Sequence, residues 1–197
     1  MDMDGIKLRK MTISGLMIAL VVVATLAIQI PTVATGGYIH LGDSMILIAG
    51  YFMGPVVGFL AGGIGSGLAD VISGHSHWMV FSFLIKGIMG ALMGVLSLKA
   101  NRKKFFEPMV FISPVIVEIV MVIGYFLAGA FLKGSFMVSL TSVPSNIVQG
   151  IGGVGLFLII GKALSKTNIK DLSFMKGDNV YGNRKTTTES SKEFKAN

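Results

Sequence analysis

Residues 44–73 read SMILIAGYFMGPVVGFLAGGIGSGLADVIS, thirty positions with Asp70 as the one charged side chain. A helix crosses a bilayer in about 20 apolar residues, so this stretch is long for one crossing and short for two. Gly54 and Pro55 stand near its middle. Proline has no backbone N–H and biases the residue before it away from helical geometry, so the pair predicts a break with a short helix on either side.

Further apolar runs lie outward of it at 11–30, 79–98, 109–132 and 139–164. The chain is 52% hydrophobic and 14% charged with a mean hydropathy of +0.74, which leaves too little polar surface for a water-soluble domain and points to an integral membrane protein. The run at 11–30 is longer than the roughly 7 to 15 residue core of a signal peptide and reads as a retained helix. Zero cysteines exclude disulfides and thiolate metal sites.

The net charge of +7 is distributed by topology rather than for nucleic acid, because the basic residues gather at the ends of apolar runs. Lys7, Arg9 and Lys10 precede the first run; Lys99, Arg102, Lys103 and Lys104 follow the run that ends at 98; Lys162, Lys166 and Lys170 close the last. One crossing by 44–73 would set the second cluster opposite the first, whereas two crossings place all three on the cytoplasmic side. The expectation is an all-α integral membrane protein, a six-transmembrane-helix bundle with both termini cytoplasmic and short helices 2 and 3. Residues 1–166 form the membrane domain, and 167–197 are a polar cytoplasmic tail, disordered at its end.

Gly54, Gly58 and Gly62, and likewise Gly63 and Gly67, recur every four residues and make small faces on which helices approach closely. Gly15 and Ala19 repeat the spacing on helix 1, either for contact within the bundle or for docking onto another membrane subunit. The glycines of 62–67 are not a phosphate loop, since no Gly-Lys-Ser/Thr follows.

Ionisable and amide groups inside hydrocarbon mark the candidate site. Asp70 near the end of helix 3 and Lys86 two turns into helix 4 can meet, as a structural ion pair or as the wall of a solute pocket. Glu118 and Tyr125 share a face of helix 5, and helix 6 carries Asn146 and Gln149 beside Gly150 and Gly153. Asn and Gln offer both donors and acceptors, suited to reading the edge of a heterocycle or to bonding helices together. Glu118 has three readings: a ligand contact, a protonated acid, or a partner for Lys86. Two outer loops, 32–43 with Tyr38, His40 and Asp43 and 73–79 with His75, His77 and Trp78, are placed to close over a planar ligand. Trp78 also suits an interfacial anchor, and His75 with His77 lacks the further ligands a metal site needs.

No His-Glu-x-x-His, Gly-x-Ser-x-Gly or Walker sequence is present, and no three-helix internal repeat is visible. These absences favour a binder of solute over an enzyme.

Over about residues 7–166 the chain resembles the substrate-binding S components of energy-coupling factor (ECF) transporters, in the branch of riboflavin, hydroxymethylpyrimidine and pyridoxine carriers. The resemblance rests on GYIHLGD at 37–43, Gly54-Pro55 with Gly58, GSGLAD at 65–70, Ile85-Lys86-Gly87, and Pro144 with Asn146 and Gln149. It implies a multi-pass protein of the bacterial cell membrane that captures a vitamin or precursor outside. Such a protein docks onto a transmembrane T component bearing two cytosolic ATPases, and toppling carries the ligand inward. ATP and Mg would sit on the ATPases, with no cofactor in this chain. The family's Ala-x-x-x-Ala docking motif appears here as Gly15 to Ala19, with glycine in the first place. The expected ligand contacts are Tyr38, His40, Asp70, His77, Trp78, Lys86, Glu118, Tyr125, Asn146 and Gln149. Two other classes stay open: a self-sufficient channel or proton-coupled carrier using Asp70, Lys86 and Glu118 as an ion path, and an assembly protein with no ligand.

Overall fold

The computed structural model describes residues 3–32, 37–98 and 107–166. The expected basic turn at 99–104 and the polar tail at 167–197 lie outside them. Helix α1 is Met3–Ala27, followed by a two-stranded antiparallel ribbon of β1 (Gln29–Thr32) and β2 (Gly37–His40) in which Gln29 lies opposite His40. Helix α2 (Gly42–Ile48) runs on into a π-helical turn, Ala49–Met53, and α3 is Pro55–Ile72. A 3₁₀ turn, Ser76–Trp78, leads into α4 (Met79–Ser97). Helices α5 (Pro108–Lys133), α6 (Phe136–Leu140) and α7 (Val143–Ser165) complete the described chain.

The segments Pro55–Ile72, Ser76–Ser97, Pro108–Lys133 and Phe136–Ser165 are long and apolar enough to cross a membrane, by length and composition; Met11–Ala27 and Gly42–Met53 are shorter apolar helices. Large apolar side chains such as Val56, Phe131 and Ile151 stand on the outer faces, more than two-thirds exposed, as suits a chain solvated by hydrocarbon.

The break at Gly54-Pro55 forms where the sequence places it. Gly54 has φ 93°, a backbone state that costs a side-chain-bearing residue, and Pro55 occupies the first turn of α3, where its missing N–H is no loss. The π-helical turn before it is buried throughout, with Tyr51 edge-on to Phe52 and to Phe157 at centroid distances of 4.9 and 5.6 Å.

The small face of α3 packs against α4. A Cβ on Gly58 would strike the backbone carbonyl of Gly90, one on Gly90 would strike that of Gly58, and one on Gly62 would strike the carbonyl of Lys86. Gly94 lies equally close to the backbone of Pro55. On the other side of α3, a Cβ at Gly65 would lie 2.8 Å from Val21 of α1.

Two expectations are corrected. The first apolar run does not stay helical to residue 30: α1 ends at Ala27, and Gln29–Thr32 pairs with Gly37–His40 because Pro31 cannot extend a helix. The described residues are therefore helical apart from this small ribbon at one end, consistent with an all-α membrane protein. The run at 139–164 is also not one helix. α6 and α7 are separate, and Pro144 sits in the first turn of α7, where a helix begins more readily than it continues.

Candidate functional site

The ribbon end gathers a linked set of polar groups. Asp43, in the first turn of α2, accepts from Lys86 Nζ of α4 on Oδ1 at 2.5 Å and from Gln149 Nε2 of α7 on Oδ2 at 2.8 Å. Asp43 and Lys86 are both fully buried, so each charge is held by the other, and that of Asp43 by the amide as well. Gln149 Oε1 in turn accepts from the backbone N–H of His40 at 3.3 Å, so one side chain links the ribbon to the ion pair. His40 Nδ1 accepts from Gly42 N at 3.1 Å, which leaves Nε2 as the protonated nitrogen. Burial, reinforced by Lys86 and opposed by Asp43, lowers the His40 pKa to about 4, so the ring is neutral near pH 7.

A second set of contacts ties the ribbon to α3. Tyr38 OH donates to Asp70 Oδ1 at 2.9 Å, and Ser73 Oγ lies 3.2 Å from the same phenol. Burial pushes the Tyr38 phenol above its ordinary range, so it stays a neutral donor. Its ring lies 4.9 Å from that of His75. Across the opening, Trp78 and Tyr125 rings are 5.9 Å apart, and Tyr125 OH is 2.9 Å from Ser82 Oγ. Lys86 Nζ sits 5.2 Å from the centroid of the Tyr125 ring.

Between these sets lies a cavity of about 60 Å³. Tyr38 and His40 line it from the ribbon, Asp70 from α3, Trp78 and Ser82 from the start of α4, and Tyr125 from α5. Asn146 and Gln149 of α7 complete it with Ser142 and Ser145. Seven of the ten residues expected as ligand contacts therefore surround one space. The three serines were not expected; they fall beside Trp78 and beside Asn146 at helical spacing, the one signal that marks them.

Three expected contacts stand elsewhere. His77 is exposed on the 3₁₀ turn, its ring 5.9 Å from that of Trp78. Lys86 is not among the lining residues and is paired with Asp43, not with Asp70: α2 starts early enough to carry Asp43 inside the bundle, while Asp70 is taken up by Tyr38. Glu118 lies between α5 and α7, buried, with neither oxygen hydrogen-bonded. A Cβ at Gly153 would come within 3.0 Å of its Oε1, and it borders a separate groove of about 510 Å³ whose other walls include Val122 and Ile151. Gly15 and Ala19 are exposed on the outside of α1, and a Cβ on Gly15 would meet nothing within 4 Å, so Gly15 makes no close contact inside the bundle.

Comparison with known proteins follows the same outline. An "Uncharacterized protein in gap 3'region" of Pyrococcus woesei is 36% identical over 144 residues, 70% of this chain and 93% of that protein. The "Thiamine precursor transporter HmpT" of Lactococcus lactis subsp. cremoris is 29% identical over 168 residues, 85% of this chain and 94% of the relative. A UPF0397 protein of Clostridium perfringens is 29% identical over 160 residues, 75% of this chain and 84% of its own length. The model of the ECF-type riboflavin transporter S component family matches residues 5–166, all but the ends of the sequence. The chain belongs to that family of transporter S components.

Proposed function

We propose that the protein is the membrane-embedded, high-affinity substrate-binding subunit of an ECF-type importer for a B vitamin or vitamin precursor. A heterocycle of the hydroxymethylpyrimidine or pyridoxine type is favoured over riboflavin. The observation that carries this reading is the cavity at the ribbon end, where ring faces from Trp78 and Tyr125 meet hydroxyl, amide and carboxyl groups inside an otherwise apolar bundle. At about 60 Å³ it is small beside the roughly 300 to 1,000 Å³ of ordinary ligand pockets, so a flavin demands more opening than a single ring does. The relative described as a thiamine precursor transporter supports the same order.

In this reading residues 1–166 cross the membrane six times with both termini cytoplasmic, and 167–197 are a cytoplasmic tail. The ribbon and the 73–79 turn gate the cavity from outside. The exposed Gly15 and Ala19 face docks onto a transmembrane T component that carries two ATPases, where ATP and Mg bind. An ion path through Asp70, Lys86 and Glu118 fits less well, because Lys86 is committed to Asp43 and Glu118 borders a different groove.

Mass spectrometry of small molecules released from gently purified protein tests the reading. A vitamin or precursor that also raises the thermal midpoint supports it, since a tight ligand stabilises the folded state. Full-rate transport in liposomes without any ATPase partner refutes it. Topology is tested cleanly because the chain has no cysteine: Ser76→Cys should react with an impermeant maleimide from outside, and Lys166→Cys only after the membrane is opened.

A further inference from the structure

The charges around the cavity are not equivalent. Lys86 and Asp43 neutralise one another through their 2.5 Å contact, and His40 is neutral with its proton on Nε2. Asp70 has no cation hydrogen-bonded to it among the described residues. It is 7% exposed and lines the cavity; Oδ1 takes the Tyr38 hydroxyl at 2.9 Å, and Oδ2 is buried with no hydrogen-bond partner. A buried carboxyl oxygen left unmatched is costly, and it is matched when a ligand brings a donor to it. A carboxyl group has acceptor sites left on both oxygens after one hydroxyl has bound, so it can receive two parallel hydrogen bonds.

We infer that Asp70 selects the ligand: the cavity takes a flat heterocycle with an amino group beside a ring nitrogen, the edge of an aminopyrimidine, in preference to a ring edge bearing oxo groups. With Asp70 ionised, the amino N–H donates to one carboxylate oxygen and the ring nitrogen, carrying the proton, donates to the other, so the ligand supplies the cation that Asp70 lacks. The imide edge of a flavin carries a single N–H between two carbonyls and no basic ring nitrogen, so beside the same carboxylate one carbonyl oxygen faces a carboxylate oxygen with no proton between them. Trp78 and Tyr125 supply ring faces and are indifferent to the choice. Of the two amides on α7, Gln149 is engaged at both ends within the protein, with Asp43 and with His40. The discrimination therefore falls to Asp70, assisted by Asn146.

The inference rests on the proposed reading as a solute-binding subunit, and one titration series separates the two. Trp78 is the single tryptophan and borders the cavity, so its fluorescence reports binding directly. The purified full-length protein is titrated with 4-amino-5-hydroxymethyl-2-methylpyrimidine, its 4-oxo counterpart, the counterpart lacking the 4-substituent, pyridoxine and riboflavin. The amino compound should bind about 10- to 100-fold more tightly than the other two pyrimidines, the worth of a hydrogen bond to a charged group. Asp70→Asn should reduce that ratio below about threefold, whereas Tyr38→Phe, which leaves the carboxyl in place, should keep it. If Asp70→Asn does not fold, the wild-type ratio and the Tyr38→Phe ratio decide. Equal affinities for the three pyrimidines, or an unchanged ratio in Asp70→Asn, overturn the role of Asp70 and leave the transport reading standing. So does binding of riboflavin or pyridoxine alone. Binding of none of the five overturns the role of Asp70, and overturns the transport reading with it when mass spectrometry also finds no vitamin or precursor released from the purified protein.

Discussion

The contact between α3 and α4 and the contact of α7 with α2 and α5 hold the bundle by opposite means. On the first, glycines remove side chains until backbone meets backbone: Gly58 on Gly90, Gly62 on the carbonyl of Lys86, Gly94 on Pro55. On the second, the helices are joined through side chains. Gln149 bridges to Asp43, Glu118 rests against Gly150 and Gly153, and Gly152 and Gly155 face open space with nothing within 4 Å of a Cβ. Close apolar packing admits no ligand and no rearrangement, while a joint made of hydrogen bonds can be exchanged for others. The cavity borders both, with Asp70 on the fixed pair and Asn146 and Gln149 on the exchangeable side.

The largest effect should come from cutting the polar joint. Lys86→Met leaves Asp43 buried without its cation and should cost about 3 to 5 kcal/mol, measured as unfolding free energy in mixed micelles. Asp43→Asn combined with Lys86→Met should recover a substantial part of it. No recovery would mean that Lys86 acts by its packing alone. Acid should loosen the same joint without mutation. Because the His40 pKa is lowered in the folded state, its contribution is complete above the unfolded value of about 6.5 and is lost as pH falls towards 4. The difference amounts to about 3 kcal/mol. A His40→Gln variant should have a flatter stability profile over that window.

The glycine contact answers to volume instead. Gly90→Ala places a methyl group on the backbone of Gly58 and should cost about 1 to 3 kcal/mol, with no dependence on pH between 4 and 7. Gly155→Ala is the smallest change, within about 0.5 kcal/mol, since nothing lies near the added methyl. A large loss there would show that the outer face of α7 is already committed to a partner.

The glycine contact was legible in the sequence and the polar joint only in part, for a physical reason. Small residues every four positions and a Gly-Pro pair are local signals, and they place the α2–α3 break and the face of α3 that meets α4. The intramembrane charges announce a site, but spacing alone does not say which carboxylate meets Lys86. The sequence offered Asp70 and Glu118 as partners and placed Asp43 in an outer loop; the actual pairing depends on α2 beginning at Gly42, which turns Asp43 inward. The ribbon was missed because four-residue strands following an apolar run carry no periodicity of their own; only their pairing makes them strands.

The bond between Asp43 and its partners also sets a constraint on biogenesis. Lys86 lies 43 positions after Asp43 and Gln149 lies 106 after it. As the chain emerges from the ribosome, α2 is made with an acid whose cation does not yet exist, next to a translocon that must choose between lipid and water. Settling α2 in its final place therefore waits for α4, and the amide that completes the acid's coordination arrives only with α7, so the ribbon end of the bundle is the last to be assembled.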